Sequence, residues 1–305
     1  MLCLGLSYNR PEFSTEATWF ANASTFVSSS AIGALPFAIF IDGINNVYAP
    51  SRVSNAILAW SQWGTQIRSI AANFNRSFSV FVSINGDVYF DDGLANRRVS
   101  RSLFNASTTV TAMNVSGSCY GLFIDPSNYL YCSLKDLHQV VKVLLISGTT
   151  VPTVAAGTGV AGSASNMLNA QQGIYVDDYF NLYIADCGNN RIQRYQAGQT
   201  SGDTVAGDDA LGTISLNCPT GVVLDFDGYL FIVDSNNHRI VGSSSSGYRC
   251  VVGCSGGGST SSQLSFPQSM AFDSYGNIYV IDRNNSRIQT FSLEKNSYRK
   301  LFSTK

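Results

Sequence analysis

Three segments in the second half of the chain repeat nearly the same sequence. They run from Gly173 to Gln193, from Gly221 to Val241 and from Ser269 to Gln289. Each contains an apolar alternation that ends in Asp, a polar turn, and a second alternation that ends in Asp. Asn-Asn-Xaa-Arg then follows, written Gly-Asn-Asn-Arg in the first of the three segments. Self-similarity at a period of about 20 to 50 residues indicates an array of one supersecondary unit. The array therefore decides the fold, and single motifs have to be interpreted within it.

Each repeated unit predicts a β-hairpin. Ile174 and Val176 share one strand face, and Leu182 and Ile184 are expected to face them from the next strand. The strands are joined by turns of the Asn, Asp or Gly type, at Phe180-Asn181, Asp227-Gly228 and Gly276-Asn277. A third apolar run follows the polar connection, so each unit has room for four short strands.

The aromatic residue of the second strand is a register mark that reveals further units. The marks Tyr183, Phe231 and Tyr279 lie 48 residues apart, and the first half of the chain supplies three more at Tyr48, Tyr89 and Tyr131. The remaining steps are 41, 42 and 52 residues long. Six hairpin-based units of this size suit blades that pack face to face around an axis. The sequence therefore predicts an all-β, six-bladed β-propeller of four-stranded antiparallel blades.

The N-terminal stretch from Thr18 to Val27 has a strand-like pattern but belongs to no hairpin. We expect it to complete the sixth blade and clasp the ring. The domain organisation predicted from these features is an N-terminal segment over residues 1–30 and a single propeller domain over residues 31–305.

The repeated pattern resembles the NHL repeat family of six-bladed β-propellers. The likeness lies in Gly-apolar-Xaa-apolar-Asp, a turn, apolar-Tyr-apolar-Xaa-Asp, and Asn-Asn-Xaa-Arg-Ile, and it is most specific in the fourth, fifth and sixth units. The resemblance implies a six-bladed propeller fold. Some relatives bind RNA on a basic face, and a related lyase uses a His-rich metal centre.

Comparison among the six units predicts structural ion pairs. An Asp three residues after the register aromatic occurs together with an Arg eight residues after it, whereas the first and third units lack both. Carboxylate and guanidinium can form a charge-assisted pair that ties the second strand to the third. Repeated residues in a repeat protein usually serve the repeat, so we expect structural roles for Asp92 with Arg97, Asp186 with Arg191, Asp234 with Arg239, and Asp282 with Arg287.

Charge and hydropathy exclude some partners. The formal net charge is −1, with 19 basic and 20 acidic residues, and charged residues make up 13% of the chain. A nucleic-acid binder is expected to carry an excess of Lys and Arg, so no nucleic-acid partner is predicted. No apolar run is long enough to span a bilayer, and no membrane insertion is predicted. The chain as given carries no signal peptide, and whether its N-terminus is complete is left open.

Cysteines and sequons point to the secretory pathway or the cell exterior. The spacing suggests Cys119 with Cys132, Cys187 with Cys218, and Cys250 with Cys254 as possible disulfides, with Cys3 left over. Buried free thiols are the alternative, because spacing alone does not fix connectivity. Possible glycosylation sites of the Asn-Xaa-Ser/Thr type occur at Asn22, Asn75, Asn105, Asn114 and Asn284.

Two glycine motifs do not fit their usual chemistry. Gly157–Gly162 matches the dinucleotide fingerprint, but it precedes the first strand of a blade and not a helix, so it is an inter-blade loop. Gly253–Gly257 matches a nucleophile elbow, yet the two histidines, His138 and His238, both precede its serine. No catalytic or cofactor-binding residue is predicted.

Metal binding is weakly supported by the sequence. Two histidines cannot supply a catalytic zinc site of the usual composition. The acidic pairs Asp91-Asp92, Asp177-Asp178 and Asp208-Asp209 could hold calcium, but solvation of strand ends and turns explains them better.

The favoured function is a noncatalytic platform for a protein, peptide or glycan partner, bound by loops at one mouth of the ring. The loops between the second and third strands are the candidates, at Cys187–Asn190, Ser235–His238 and Arg283–Ser286. The alternative is a metal-dependent, lactonase- or lyase-like propeller enzyme with an axial metal. Whether the protein is an enzyme stays open, with a binding role preferred.

Overall fold

Six four-stranded antiparallel sheets surround a central channel in the computed structural model, which describes residues 6–71, 77–104, 108–208, 210 and 212–297. In each sheet the strand nearest the channel comes from the first half of a predicted hairpin. Strand order within blades 1 to 5 follows the sequence, so each blade is a simple meander. The protein is an all-β, six-bladed propeller, as the repeats predict.

The strands of the first three blades are short and closely spaced along the chain. Blade 1 contains β3 (Phe40–Ile41), β4 (Val47–Ser51), β5 (Ala56–Trp60) and β6 (Gln66–Ala71). Blade 2 contains β7 (Val80–Val82), β8 (Val88–Asp91), β9 (Arg98–Ser102) and β10 (Thr109–Asn114). Blade 3 contains β11 (Cys119–Ile124), β12 (Tyr129–Leu134), β13 (Gln139–Leu144) and β14 (Thr153–Ala156).

The last three blades contain the clearest repeats. Blade 4 contains β15 (Ile174–Val176), β16 (Leu182–Asp186), β17 (Arg191–Tyr195) and β18 (Asp203–Gly207). Blade 5 contains β19 (Pro219–Leu224), β20 (Leu230–Asp234), β21 (Arg239–Ser244) and β22 (Gly247–Val252). Blade 6 contains β23 (Pro267–Phe272), β24 (Ile278–Asp282), β25 (Arg287–Phe291) and, as its outer strand, β2 (Ser24–Val27).

Strand β2 joins the two ends of the chain in blade 6. It pairs antiparallel with β25, with Ser24 opposite Thr290 and Val27 opposite Ile288. Strands β1 (Thr18–Trp19) and β26 (Leu293–Lys295) form a separate two-stranded pair beside it. The N-terminal stretch thus supplies the fourth strand that the sixth unit lacks. The division of the chain at residue 30 stays a prediction.

Short helical turns connect the strands. Helix α1 (Ser29–Ile32) precedes blade 1 and helix α2 (Gly93–Asn96) lies within blade 2. Single 3-10 turns occur at Lys135–Leu137, Leu145–Ser147, Cys187–Asn189 and Ser235–Asn237. Three of these 3-10 turns lie between the second and third strands of blades 3, 4 and 5, at equivalent places.

The six register aromatics occupy matching places in the blades. Each pairs with a residue of the first strand, and all are buried; the pairs are Phe40 with Tyr48, Phe81 with Tyr89, Phe123 with Tyr131, Tyr175 with Tyr183, Val223 with Phe231, and Ala271 with Tyr279. The hairpin of blade 4 has the expected register, with Ile174 opposite Ile184 and Val176 opposite Leu182. Equivalent positions in different blades can therefore be compared directly.

The core lies between neighbouring blades. One buried cluster brings Ile41 and Val47 of blade 1 together with Tyr279 and Ile281 of blade 6, which closes the ring. Because each blade contacts only its two neighbours, burial of apolar surface between blades holds the ring together.

Candidate functional site

A channel on the propeller axis is lined by the first strand of every blade. It encloses about 120 Å³. Small residues lie along its wall, including Ala38, Gly121 and Gly173. A side chain at Gly173 would bring its Cβ to 2.7 Å from the carbonyl oxygen of Thr220, so glycine lets the first strands of blades 4 and 5 approach closely. The channel is narrow because the inner strands crowd around it.

One end of the channel is closed by three consecutive N-terminal residues that touch all six blades. The Tyr8 ring lies 6.3, 5.5 and 5.8 Å from the rings of Phe81, Phe123 and Tyr175, in blades 2, 3 and 4. Burial raises the pKa of Tyr8 to about 12. Asn9 and Arg10 donate hydrogen bonds to main-chain carbonyl oxygens of the remaining three blades. Asn9 Nδ2 donates to the carbonyl oxygens of Asp42 in blade 1 at 2.9 Å and Phe272 in blade 6 at 3.3 Å. Arg10 Nη2 donates to the carbonyl oxygen of Asp225 in blade 5 at 3.1 Å.

The other end of the channel carries a ring of six equivalent residues. Each lies three residues before the first-strand partner of a register aromatic. Blades 1, 2 and 3 place aromatic side chains there, and blades 4, 5 and 6 place polar ones: Phe37, Phe78, Tyr120, Gln172, Thr220 and Gln268. We call this end of the channel the mouth. Its two halves differ in chemistry although the backbone repeats.

The aromatic half of the mouth is a packed cluster that is partly open to solvent. Phe78 and Tyr120 stack with ring centres 4.3 Å apart, and Phe37 lies edge-on to Phe78 at 4.6 Å. All three rings are half-buried. Burial raises the pKa of Tyr120, with nearby carboxylates adding to the effect. The hydroxyl group of Tyr120 therefore remains neutral at physiological pH.

Three cations surround these rings. Arg52, Lys135 and Arg283 each follow directly after the second strand of a blade. The guanidinium carbons of Arg52 and Arg283 lie 5.1 and 4.8 Å from the centre of the Phe37 ring, and Lys135 Nζ lies 4.8 Å from the centre of the Tyr120 ring. Cations at these distances are attracted by the negative faces of the rings. The mouth is therefore a positively charged aromatic site.

The polar half of the mouth is buried and uses its hydrogen-bonding groups internally. Gln268 Nε2 donates to Gln172 Oε1 at 2.6 Å, and Gln172 Nε2 lies 3.9 Å from Cys218 Sγ. Thr220 Oγ1 donates to the carbonyl oxygen of Pro267 at 3.2 Å. These side chains tie blades 4, 5 and 6 to one another. They form the rigid side of the mouth.

The repeated Asp and Arg residues form a network that holds the connections between blades. In blade 4 the Arg191–Asp186 pair is almost fully buried, with Nε 2.8 Å from Oδ2. The same carboxylate accepts a hydrogen bond from the main-chain N–H of Asn169 at 2.7 Å and from Asn189 Nδ2 at 2.8 Å. The second position of the Asn-Asn-Xaa-Arg motif, occupied by Asn189 in this blade, therefore binds the Asp and does not face a ligand.

The equivalent pairs of blades 5 and 6 have the same geometry. Arg239 Nε lies 2.8 Å from Asp234 Oδ2, and Arg287 Nε lies 2.7 Å from Asp282 Oδ2. Arginine in each pair also donates to carbonyl oxygens of the preceding inter-blade loop, as Arg287 does to Thr260 at 2.9 Å. These three pairs lie together as the sequence comparison predicts, and their contacts are internal to the frame.

The ion pair predicted in blade 2 names the correct aspartate, Asp92, but the wrong arginine. Asp92 Oδ2 lies 2.6 Å from Arg98 Nε, not from Arg97. Arg97 is the left-handed cap of helix α2 (φ 49°), and that helix adds one residue to the loop between the second and third strands. The insertion moves the in-register arginine one place along the chain. Counting residues from the aromatic mark missed this shift.

Six cysteines form three disulfides in the structure. Cys119–Cys132 joins the first two strands of blade 3, and Cys250–Cys254 joins the last strand of blade 5 to the loop that follows. Cys187–Cys218 connects the loop of blade 4 to the entry of blade 5. These are the pairings suggested by the spacing. Cys3 lies outside the described residues.

The histidines stabilise blade junctions. His138 Nδ1 accepts the main-chain N–H of Ala170 at 3.2 Å, and His238 Nδ1 accepts that of Phe266 at 3.0 Å. Ala170 and Phe266 have positive φ values of 51° and 49°. Each histidine thus holds the positive-φ residue through which the chain enters the next blade. The Nδ1 atoms of both histidines are occupied by these hydrogen bonds and are not available to a metal.

The structure describes the asparagine of three of the five sequons, and all three residues are exposed: Asn22, Asn114 and Asn284. Asn284 Oδ1 lies 3.3 Å from Arg283 Nη1, at the rim of the mouth. Asn75 and Asn105 lie outside the described residues.

The donor set does not fit an axial metal. Among the described residues, no group of three or more His, Cys, Asp or Glu side chains is arranged to hold a metal ion. The residues lining the channel include neither a carboxylate nor a histidine. Asp91 and Asp92 differ in role, since Asp92 pairs with Arg98 whereas Asp91 accepts main-chain N–H groups of Cys119 and Phe78 at 3.0 and 3.3 Å. Asp209 lies outside the described residues.

Sequence reasoning named only part of this site. Of the predicted loops, Arg283–Ser286 supplies a cation to the mouth, whereas Cys187 and His238 of the other two are engaged in a disulfide and a junction hydrogen bond. The aromatic half and the N-terminal closure were missed. Alignment of the units at the start of the first strand would have placed the three aromatic residues together.

Comparison with known proteins agrees with the fold. Residues 216–242 and 264–291 match the NHL repeat. A comparison with curated proteins gives no match. No helix in the described part of the chain has the length and apolar character needed to cross a membrane.

Several solved propellers superpose on the chain at low sequence identity. An auxiliary nutrient binding protein from Bacteroides thetaiotaomicron has a TM-score of 0.67 and 12% identity, covering 95% of this chain and 76% of its own. Virginiamycin B lyase from Staphylococcus aureus has a TM-score of 0.59 and 14% identity, with 93% and 100% covered. A gluconolactonase from Xanthomonas campestris has a TM-score of 0.63 and 12% identity, with 95% and 96% covered.

These observations define a class of protein. The chain is a six-bladed β-propeller with a narrow channel that is closed at one end and bears a cationic aromatic mouth at the other. Residues 216–242 and 264–291, in the fifth and sixth blades, match the NHL repeat, so the propeller contains NHL-like repeats. At these identities the solved structures establish the fold alone, since both binding proteins and enzymes share it.

Proposed function

We propose that the protein is a noncatalytic binding scaffold whose mouth recognises a protein, peptide or glycan partner. The single observation that carries the proposal is the break in repeat symmetry at the mouth, where equivalent positions hold aromatic side chains in blades 1 to 3 and buried polar ones in blades 4 to 6. A role in the frame would favour similar residues in every blade, because equivalent residues have equivalent neighbours. Half-exposed rings and cations are typical of recognition surfaces.

The rival function is a lactonase- or lyase-like enzyme with an axial metal. It gains support from the lyase and gluconolactonase among the structural neighbours. The channel lining opposes it, because hard cations prefer carboxylate oxygens and the described lining has none. A binding role needs only the groups that the mouth contains.

We also propose that the protein works in an oxidising compartment, in the secretory pathway or outside the cell. The three disulfides support this location, because such bonds persist where thiols are not kept reduced. Exposed Asn22, Asn114 and Asn284 would then be available for glycosylation. Mass spectrometry of protein secreted from eukaryotic cells tests this, and unmodified asparagines at all three sites would contradict it.

The binding proposal can be tested with arrays of immobilised peptides and glycans. Labelled wild-type protein is compared with Arg283→Gln, which removes one charge at the mouth. Trp63→Ser is the matched control, because Trp63 is 82% exposed in the turn between β5 and β6, at the end of the ring away from the mouth. We expect the bound partners to be lost with Arg283→Gln and kept with Trp63→Ser.

Two outcomes would contradict the proposal. Partners that bind all three proteins equally would place recognition elsewhere on the ring. Stoichiometric calcium or zinc in the purified protein, together with metal-dependent lactone hydrolysis, would favour the enzyme.

A further inference from the structure

The charge at the mouth indicates the chemistry of the ligand. Arg52 and Arg283 lie against the same Phe37 ring, so the two guanidinium carbons are within about 10 Å of one another. Like charges at this separation repel, and the repulsion grows where water is excluded. Burial separately lowers the pKa of Arg283 by disfavouring its charged form. A ligand anion would relieve this repulsion.

Arg283 also has a hydrogen-bonding group with nothing to bind. Its Nε is buried and has no partner among the described residues. Neither Arg283 nor Lys135 forms an ion pair within 4.0 Å of a described carboxylate. A buried donor without a partner is costly, and in native structures it often marks a functional role. An anionic oxygen is the complement that both residues lack.

The channel behind the mouth indicates the rest of the ligand. Its wall is mostly apolar, and Tyr8 closes the far end. The space of about 120 Å³ is comparable to the roughly 150 Å³ apolar cavities that hold one benzene ring. One ring-sized apolar group therefore fits, whereas a polymer backbone does not. A neutral sugar finds little to bind here, because Gln172, Thr220 and Gln268 are buried and already hydrogen-bonded.

We propose that the mouth binds a carboxylate that carries one ring-sized apolar group, with the apolar group in the channel and the carboxylate among Arg52, Arg283 and Lys135. The inference rests on the proposed binding function and narrows its ligand. Such a carboxylate comes either from a free small acid or from the C-terminal residue of a peptide. Guanidinium groups suit it because they donate paired hydrogen bonds to a carboxylate.

Calorimetric titration tests the inference with matched ligands. The probes are 3-phenylpropionate, its neutral analogue 3-phenylpropan-1-ol, and acetate, which lacks the ring. We expect wild-type protein to bind 3-phenylpropionate at least tenfold more tightly than either of the others. The double variant Arg52→Gln, Arg283→Gln should lose the preference for the acid over the alcohol, and Lys135→Gln should reduce it.

A second variant tests the channel separately from the charges. Ala38 is buried and lines the channel, so Ala38→Leu fills part of it. We expect this variant to weaken acid and alcohol alike. Circular dichroism and thermal midpoints establish that each variant is folded, and Trp63→Ser should bind as wild type does.

Peptides distinguish the two sources of the carboxylate. A short peptide ending in phenylalanine with a free carboxylate is compared with the same peptide amidated at its C-terminus. Tighter binding of the free peptide than of 3-phenylpropionate assigns the site to peptide C-termini, and weaker binding assigns it to small acids. If both peptides bind, equal affinity of the amidated and free forms would overturn the inference.

Failure of this inference can be told apart from failure of the binding function. Equal affinity for acid and alcohol, or no binding of 3-phenylpropionate to wild-type protein at millimolar concentration, overturns the ligand class. The scaffold function survives that result if array partners still depend on Arg283. The scaffold function fails if array partners bind wild-type protein and Arg283→Gln equally well, regardless of the affinity for 3-phenylpropionate.

Discussion

The buried ion pair of blade 4 provides a quantitative test of how the frame is held. Arg191 is 3% exposed and Asp186 is fully buried. Arg191 also donates to the carbonyl oxygens of Ser163, Ala164 and Met167 at 2.7, 3.2 and 3.1 Å. Replacing Arg191 by methionine keeps much of the aliphatic volume but leaves a buried carboxylate without its countercharge. Breaking such a pair costs about 3–5 kcal/mol.

The blade 2 pair is the natural control. Arg98 is 42% exposed whereas Asp92 is 5% exposed, so the two blades differ in the burial of the arginine and not of the carboxylate. Asp92 keeps hydrogen bonds from Ser100 and Asn96 when the arginine is removed, and water can take the place of the exposed guanidinium. Because water reaches the guanidinium side of this pair, Arg98→Met should cost about 1 kcal/mol, less than the loss of a fully buried arginine. The same chemical change in two blades is therefore expected to differ by roughly 3 kcal/mol in the free energy of unfolding.

Urea unfolding measures this difference. With a slope of about 3 kcal/mol/M, Arg191→Met should lower the midpoint by roughly 1 M or more, and Arg98→Met by about 0.3 M or less. Circular dichroism and tryptophan fluorescence must give coincident transitions, because repeat arrays can unfold in parts. Equal shifts for the two variants would refute the claim that burial of the arginine determines the importance of the pair.

A second substitution identifies the cause of the loss. If the uncompensated carboxylate is responsible, adding Asp186→Asn to Arg191→Met should recover part of the stability, because the amide is neutral and its oxygen can still accept the N–H of Asn169. No recovery would mean that the contacts of Arg191 with the inter-blade loop dominate.

Two further changes test other parts of the frame. The disulfide Cys187–Cys218 spans 31 residues, and replacing both of its cysteines should lower the free energy of unfolding by roughly 4 kcal/mol. The same change at Cys250–Cys254, which spans 4 residues, should lower it by about 2 kcal/mol, because a disulfide that closes a longer loop restricts the unfolded chain more. Equal urea midpoints for the two variants would contradict this. Burial raises the pKa of Asp91 to about 7 in the folded protein. In the unfolded chain the same carboxyl group loses its proton near about pH 4, the ordinary value for Asp. The stability that the bound proton contributes is therefore lost as pH rises from about 4 through 7. Asp91→Asn should therefore show a smaller fall in unfolding free energy between pH 5 and pH 8 than wild type, and parallel falls would show that another group is responsible.

The hairpins could be predicted from sequence because their signals are local and repeated. Alternation with a period of two residues sets the strand faces, and the aromatic mark sets the register, as Tyr183 opposite Tyr175 illustrates. The disulfide partners Cys187 and Cys218 could be suggested because they flank a blade junction in the repeat. In each case the array itself supplied the long-range geometry.

The features that were missed depend on information outside the repeat. One extra residue in the loop of blade 2 was enough to assign Arg97 in place of Arg98, because a count along the chain cannot detect an insertion. Closure of the channel by Tyr8 comes from a unique segment with no counterpart in any unit. The cations of the mouth meet the aromatic rings only after the ring has closed.

Loss of the repeat motif coincides with gain of a mouth cation in blades 1 and 3. Blades 1 and 3 lack the Asp–Arg pair, and they place Arg52 and Lys135 directly after the second strand. Other contacts hold those strand ends: Ser51 Oγ donates to the carbonyl oxygen of Ala31 at 2.7 Å, and Gln171 Nε2 donates to that of Leu134 at 2.9 Å. Because the frame there no longer depends on the motif, these blades are free to carry groups that serve a ligand. Substitutions of Arg52 and Lys135 in these two blades should therefore alter binding while leaving stability nearly unchanged. Arg283 is the third cation of the mouth and lies in blade 6, which keeps its ion pair.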